Sequence, residues 1–331
     1  MRPFLSIAAP IALAALAIFV VPGTSQANPR QWSREWPNTD FTKHAVTFDE
    51  IMSGRVTNDR IPSIDKPRHV AVGAAKDFAP TGPVVGLTIN STSRAYPLSI
   101  LIWHEIVNDI VDGVPVAVTF CPLCNAAVVF DRRVDGVTLE FGTTGKLRFS
   151  DLVMYDRQSE SWWQQFTGEA IIGERTGQKL RFLPARLESF AKFKARAPKG
   201  QVLVPTDPDM RRYGMNPYQG YDSAHTPFLY RGKLPDVIAP LTRVVAVGMR
   251  AWSVDFLQIK ERIETEDGLI LTFEYGQNSA LDSMVIAEGR EVGNVLVQRR
   301  GENGKLVDVN YRVDFAFAFH AFNPDAKIIV E

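Results

Sequence analysis

The fold is decided by the stretch EIVNDIVDGVPVAVTFCPLCNAAVVFDRRVDGVTLEFG, residues 105–142. Asp112-Gly113 and Asp135-Gly136 are dipeptides typical of two-residue hairpin turns. β-Branched and aromatic residues flank both dipeptides, so the stretch predicts two successive antiparallel hairpins. Both cysteines of the chain lie between these hairpins, in the tetrapeptide Cys121-Pro122-Leu123-Cys124.

Similar patterns continue on both sides of this stretch. Short helices are predicted from Pro97 and after Ser189, because proline favours the first helical position and serine caps helices. Strands are predicted at 84–90, 151–156, 169–173, 178–183 and 315–322. The sequence therefore predicts a β-rich α+β fold with few short helices, its antiparallel hairpins packed in a barrel-like or sandwich-like arrangement.

Changes of composition divide the chain into five segments. They are a signal peptide at 1–27, an irregular N-terminal segment at 28–80, a first half with both cysteines at 81–204, a long loop rich in Pro, Gly and Tyr at 205–240, and a second half at 241–331. The second half echoes the order of patterns in the first, although it has no cysteine. Duplication and chance similarity both remain open as explanations.

The first segment has the features of a secretory signal. Arg2 precedes an apolar run at 7–21, and Ser25-Gln26-Ala27 places small residues where a signal peptidase cleaves. We expect cleavage after Ala27, a periplasmic or secreted protein, and no membrane span in the mature chain.

Composition excludes several classes of protein. The 331 residues include 45% hydrophobic residues, and 37 basic residues balance 37 acidic ones. Such a chain can bury a large core, which argues against intrinsic disorder. Zero net charge without a basic stripe argues against a nucleic-acid partner. Two cysteines are too few for a disulfide scaffold.

The Cys121-Pro122-Leu123-Cys124 motif is the sharpest chemical signal. Such a pair can form a disulfide, lower the pKa of its first thiol, or bind a metal with two thiolates. The strand predicted after it departs from the helix that follows a thioredoxin motif. His104 lies one strand upstream and is the candidate third ligand or base. Two thiolates and an imidazole suit a single zinc or copper ion.

A second group of residues is a candidate for substrate binding. Asp156, Arg157, Trp162 and Trp163 could supply aromatic faces and fixed polar groups. The two tryptophans could equally pack in the core. No serine nucleophile elbow, HExxH helix, dinucleotide fingerprint or paired-carboxylate motif is present, which argues against most familiar exported hydrolases.

Several short motifs together resemble a known family. They are Tyr96-Pro97-Leu98, Trp103-His104-Glu105, Thr119-Phe120-Cys121-Pro122-Leu123-Cys124, Met154-Tyr155-Asp156-Arg157 and Trp163-Gln164. In these motifs the chain resembles the bacterial exported family DUF3179, from about residue 51 to the C-terminus. The resemblance implies no activity, since the family has no established reaction. The chain departs from the family at Asn125, a place where a small residue is usual.

Three functions remain open. The first is an exported oxidoreductase or metal-handling protein centred on Cys121, Cys124 and His104, acting on a small molecule or a protein thiol. The second is a ligand-binding module with a structural disulfide, which uses the tryptophan surface. The third is acyl or thiol transfer with Cys121 as nucleophile and His104 as base.

Overall fold

The computed structural model describes residues 29–54, 56–301 and 303–331. The predicted signal peptide at 1–27 lies outside these ranges. Within them, no helix combines the length and the hydrophobicity needed to cross a membrane.

Short helices and strands alternate along the chain. The helices are α1 Pro29–Glu35, α2 Leu98–His104, α3 Phe190–Arg196, α4 Val254–Lys260 and α5 Ala316–Phe322. The strands of the first half are β1 Ile51–Ser53, β2 Arg68–Ala71, β3 Pro83–Ile89, β4 Thr92–Pro97, β5 Ile106–Val111, β6 Val114–Cys121, β7 Ala126–Asp131, β8 Arg133–Val134, β9 Val137–Thr138, β10 Phe141–Arg148, β11 Asp151–Asp156, β12 Trp162–Gln164, β13 Glu169–Ile172, β14 Arg181–Phe182, β15 Ala185–Ser189 and β16 Gln201–Val204. Those of the second half are β17 Arg243–Val247, β18 Arg250–Ser253, β19 Arg262–Glu264, β20 Leu269–Glu274, β21 Asn294–Arg300, β22 Leu306–Asp308, β23 Arg312–Phe315 and β24 Lys327–Ile329.

Most strands belong to five sheets of four or five strands. In order across each sheet, the strands are β1-β10-β11-β12-β13, β14-β7-β6-β5, β15-β3-β4-β16-β2, β23-β17-β18-β24 and β19-β20-β21-β22. Neighbouring strands are antiparallel except β4 with β16 and β18 with β24. The sheets form a ring like that of a five-bladed propeller.

The predicted β-rich fold with antiparallel hairpins and short helices is confirmed. Asp112-Gly113 and Asp135-Gly136 have positive φ at all four residues, as a type I′ turn requires. The ring is a more specific arrangement than the barrel-like or sandwich-like packing predicted from the sequence.

Two pairs of sheets share one order of elements. The order β3-β4-α2-β5-β6-β7 of the first half matches β17-β18-α4-β19-β20-β21 of the second. Helices α2 and α4 both end at a glutamate with positive φ, Glu105 at 58° and Glu261 at 56°. The positions are therefore structurally comparable, and Glu261 provides a natural reference for Glu105.

One segment predicted as a strand is a helix. The alternating phenylalanines of 315–322 suggested a strand, but β23 ends at Phe315 and α5 occupies the rest. The residues between the phenylalanines are also apolar, so the pattern has no polar face that separates a strand from a helix. Four consecutive residues from Ala316 to Phe319 are buried, which a one-sided strand would not allow.

The two long irregular segments have different positions. The N-terminal segment 29–80 contributes β1 and β2 to the edges of two sheets, and its Trp32 and Trp36 pack on Trp162. Segment 205–240 contains one 3-10 turn, Tyr221–Ser223, and no strand. It reaches the cysteine motif through Tyr221, whose hydroxyl donates to the carbonyl oxygen of Leu123 over 3.0 Å.

Candidate thiol site

The two cysteines lie on a tight turn between two central strands. Cys121 is the last residue of β6, Pro122–Cys124 form a 3-10 turn, and β7 starts at Ala126. Pro122 is at the start of the turn, a position whose N–H has no partner within the turn, so the missing N–H of proline costs no hydrogen bond. The strand, turn and returning strand predicted from the sequence thus bring both side chains to one side of the hairpin.

Asn125 explains how the chain turns back after the second cysteine. Its φ of 51° and ψ of 26° are left-handed, a conformation that asparagine tolerates better than most residues with a Cβ. Its Nδ2 also donates to the carbonyl oxygen of Val313 over 2.8 Å, which ties the turn to β23. Asparagine therefore meets the backbone requirement that a small residue would meet here.

Asp151 completes a group with the two thiols. One ligand atom each from Cys121, Cys124 and Asp151 lie within 4.8 Å of one another, and all three residues are buried. Both cysteines are free thiols. The sequence had not singled out Asp151 as a site residue.

Only one oxygen of Asp151 is used by its surroundings. Its Oδ2 accepts hydrogen bonds from Gln164 Nε2 over 2.6 Å and from the backbone N–H of Phe166 over 2.9 Å. Its Oδ1 has no hydrogen-bond partner among the described residues. A fully buried carboxylate oxygen without a partner is costly, so a proton, a water molecule, an ion or a substrate atom at this point would be stabilising.

An unusual turn places Asp151 next to the thiols. Phe149 and Ser150, between β10 and β11, both have positive φ, at 52° and 67°. Neither residue type favours this conformation, and strained turns of this kind are frequent at functional sites. The carbonyl oxygen of Ser150 lies 3.6 Å from Cys121 Sγ and accepts from its thiol.

Burial dominates the electrostatics of the group. It raises the pKa of the Cys121 thiol and raises that of Cys124 further. It also raises the pKa of Asp151 to about 7 and that of the neighbouring Asp314 to about 6. The thiols are therefore protonated at neutral pH, while Asp151 can accept a proton there.

Glu105 is a further acidic side chain at this site. Its backbone is held at φ 58° by a bond from its N–H to Leu101 O and one from Phe120 N–H to its own carbonyl oxygen. Burial, with the nearby Asp151 charge second, raises its pKa to about 8. No hydrogen bond to its carboxyl group is formed within the described part of the chain.

A cavity of about 180 Å³ opens beside Cys121. Its walls are mostly apolar and include Leu123, Leu147 and Leu152, with Glu105 among the polar members. Cys124 does not line this cavity and has no accessible surface. Both thiols are buried, and of the two residues Cys121 lines the cavity whereas Cys124 does not.

The structure gives His104 other partners. Its Nδ1 is 2.7 Å from the carbonyl oxygen of Pro62, and its Nε2 is 2.8 Å from the hydroxyl of Tyr213. Burial lowers its pKa, so the ring is neutral near pH 7. With both nitrogens engaged, His104 does not join the thiols, and Asp151 stands in the place expected for it.

Comparison with known proteins identifies a family whose function is unknown. The family model described as protein of unknown function, DUF3179, matches residues 58–326. The chain belongs to this family. The resemblance seen in the sequence motifs is thereby confirmed. No curated protein and no solved structure gives a significant match.

The other predicted site residues of this DUF3179 chain have structural partners, buried for Asp156, Trp162 and Trp163 and at the surface for Arg157. Trp162 and Trp163 are completely buried, and Trp163 Nε1 donates to Asp156 Oδ2 over 2.8 Å. Arg157 donates to Asp65 over 2.6 Å and to Ser63 over 2.9 Å. The structure thus places both tryptophans in the core instead of on an accessible platform: Trp162 packs against Trp32 and Trp36 of the N-terminal segment, and Trp163 packs against Phe141 on the other face of the strand.

Proposed function

We propose that the protein is a thiol–disulfide oxidoreductase in which Cys121 exchanges with substrate and Cys124 resolves the mixed disulfide. The observation that carries the proposal is that one of two adjacent cysteines lines a cavity, beside a buried carboxyl group. Cys121 lines the cavity, Cys124 does not, and Asp151 lies within 4.8 Å of both sulfur atoms. Exchange requires one thiol that substrate can reach and a second within reach of the first.

Asp151 would supply the base that buried thiols need. A thiolate is the attacking species, and burial of both cysteines disfavours it. The partnerless Oδ1 of Asp151 is available to take a proton. Its raised pKa suits transfer near neutral pH, where a general base works best.

The reaction is balanced by the substrate disulfide. Asp151 accepts the proton of Cys121, whose sulfur attacks one sulfur of the substrate and releases the other as a thiolate, which is then protonated. Asp151 returns its proton to the first substrate thiolate and then accepts the proton of Cys124, whose sulfur attacks Cys121 Sγ. The Cys121–Cys124 disulfide forms, the mixed disulfide breaks, and the second substrate sulfur leaves as a thiolate that takes the proton from Asp151. Two thiols of the protein are oxidised and one substrate disulfide is reduced to two thiols.

Oxidation of the reduced protein by bis(2-hydroxyethyl) disulfide tests the proposal. Free thiols would be counted by alkylation and mass spectrometry at intervals after mixing. We expect both thiols to be lost together, and we expect Cys121→Ser to retain the Cys124 thiol unreacted. Loss of the Cys124 thiol in Cys121→Ser would contradict the assigned order.

A metal site is the second candidate, favoured by the convergence of three ligand atoms. Two thiolates and the carboxylate of Asp151 suit zinc or copper, and a fourth position would be filled by solvent or a bound molecule. Elemental analysis of protein purified without chelator distinguishes the two. Stoichiometric metal that Asp151→Asn loses and Asp156→Asn keeps would favour this candidate, since both residues are buried at the two ends of β11.

The remaining alternatives have less support. Acyl transfer with His104 as base requires a free ring nitrogen, and both are engaged. A binding module with a structural disulfide would leave the orphan oxygen of Asp151 without a role. Export to the periplasm or medium remains part of the proposal, and N-terminal sequencing of the mature protein would test cleavage after Ala27.

A further inference from the structure

We infer that the substrate is a small, largely uncharged organic disulfide, to the exclusion of protein and peptide disulfides. The inference rests on the proposed function and specifies its substrate class. It is drawn from the cavity beside Cys121, from two hydrogen-bonding groups in its wall, and from the segment that covers it.

The dimensions of the cavity limit the substrate. About 180 Å³ is below the range of most sites for drug-sized ligands. A tripeptide disulfide or a protein loop cannot place its sulfur atoms there without displacing the walls. The apolar surface provided by residues such as Ile61, Leu147 and Leu152 favours a substrate with short hydrocarbon groups.

Two polar groups in the wall have no hydrogen bond within the described residues. They are the carboxyl group of Glu105 and the hydroxyl group of Tyr218, two residues that line the cavity. Leaving such groups without a partner is unfavourable, so a ligand that bonds to them gains affinity. They would bind one hydroxyl or similar neutral polar group beside the disulfide.

The charges among the described walls of the cavity also disfavour an anionic substrate. Lys146 is the basic residue among the described walls, and its Nζ is bound to Glu35 over 2.8 Å. No free cation in those walls is thus available to a carboxylate of a peptide.

Segment 205–240 restricts access from outside. Tyr218, Phe228 and Leu229 of this segment form part of the wall. Tyr221 donates to Leu123 O over 3.0 Å, and Ser150 donates to Phe228 O, so the segment is attached on both sides of the thiols. A folded protein disulfide would have to detach these contacts before its sulfur could approach Cys121.

The test compares oxidants of different size with one reduced protein. Bis(2-hydroxyethyl) disulfide, glutathione disulfide and a small protein disulfide, oxidised thioredoxin, would each be mixed with the full mature chain. Each rate is divided by the rate with free dithiothreitol, which removes differences of intrinsic reactivity. We expect the normalised rate of the small disulfide to exceed both others by about tenfold or more, as steric selection in a pocket of fixed shape gives.

Variants identify the residues responsible. Val56→Phe and Leu147→Phe add volume to the cavity wall and should slow oxidation by the small disulfide by about tenfold. The thiols of both variants should still be oxidised in denaturant, where the cavity is absent. Glu105→Gln and Tyr218→Phe should raise the concentration of bis(2-hydroxyethyl) disulfide that half-saturates the single-turnover oxidation more than they lower the limiting rate at saturation. Glu261→Gln is the matched control, because it shares the backbone conformation of Glu105 but is exposed in the half without cysteines.

The outcomes separate the two proposals. Equal normalised rates for all three oxidants, or no effect of both cavity-filling variants, would overturn the inference and leave the dithiol function intact. No oxidation of the folded protein by any of the three would overturn the proposed function itself. Faster reaction with thioredoxin than with the small disulfide would assign a protein substrate.

Discussion

A carboxylate oxygen of Asp151 lies within 4.8 Å of the sulfur atom of Cys121, although the residues are on different sheets. The turn at Phe149 and Ser150 brings the two residues together, because it places the start of β11 against the end of β6. A proton acceptor therefore stands beside a thiol whose own burial opposes ionisation. This pairing is the basis of the predictions that follow.

Asp151→Asn should slow dithiol oxidation by about 100-fold at pH 7, because removal of a general base costs a factor of this order. The amide keeps the size of the side chain, although Gln164 and Phe166 also donate to this group and some loss of stability will accompany the change. Stopped-flow loss of free thiol measures the rate. Asp156→Asn is the control, since it alters a buried aspartate of the same strand and should leave the rate within about twofold.

Cys124→Ser should accumulate a mixed disulfide between Cys121 and half of bis(2-hydroxyethyl) disulfide. The hydroxyl cannot resolve the bond that Cys121 has formed, so the adduct persists until reductant is added. Intact mass spectrometry detects it. An adduct on Cys124 in the Cys121→Ser protein would show that the enclosed thiol is the one that substrate reaches.

The free energy of unfolding should fall as the pH rises from about 4 to about 8. Asp151, with a pKa raised from 3.8 to about 7, binds more protons in the folded than in the unfolded state between these values, which gives stability a negative slope there. Asp314 adds to this slope up to about pH 6 and Glu105 up to about pH 8. Urea unfolding of the reduced protein across this range measures the slope. In Asp151→Asn, the decrease in the free energy of unfolding between pH 4 and 7 should be smaller by roughly a few kcal/mol. An equal slope in both proteins would contradict the assignment.

Trp163→Phe should destabilise the fold by about 2–3 kcal/mol and leave dithiol oxidation unchanged. The substitution removes the bond from Trp163 Nε1 to Asp156 and leaves a void in a fully buried position. Urea unfolding measures the stability. Val137→Ala, at an exposed position, should change stability by about 0.5 kcal/mol or less, and a substrate-dependent loss of rate in Trp163→Phe would restore a binding role to this residue.

The local fold around the cysteines could be predicted because its signals are local. Asp112-Gly113 and Asp135-Gly136 favour the positive φ that a two-residue hairpin turn requires, and the flanking residues are β-branched and aromatic, as in strands. The ring of sheets could not be predicted in the same way, since it depends on strands far apart in the chain, such as β3 pairing with β15. Helix α5 was missed because its alternating phenylalanines lack a polar face.

The site could be predicted only in part for a similar reason. The two thiols form a motif that is visible in the sequence. Asp151 comes close to them only through the pairing of β10 with β11 and the strained turn between these strands. A signal was present: Asp151 begins the strand Leu152-Val153-Met154-Tyr155, and an acidic residue at the start of so apolar a strand is unusual inside a core. His104 was favoured because its distance along the chain suits hairpin pairing, but its ring binds Pro62 and Tyr213 instead.

The most direct test of the dithiol centre is the intact mass of the mature protein, purified without reductant or chelator and recorded under native and denaturing conditions. We expect a metal-free protein whose denatured mass falls by two hydrogens after treatment with one equivalent of bis(2-hydroxyethyl) disulfide and returns to the original value with reductant. A native mass with one bound metal ion, lost on denaturation, together with thiols that the disulfide does not oxidise, would contradict it.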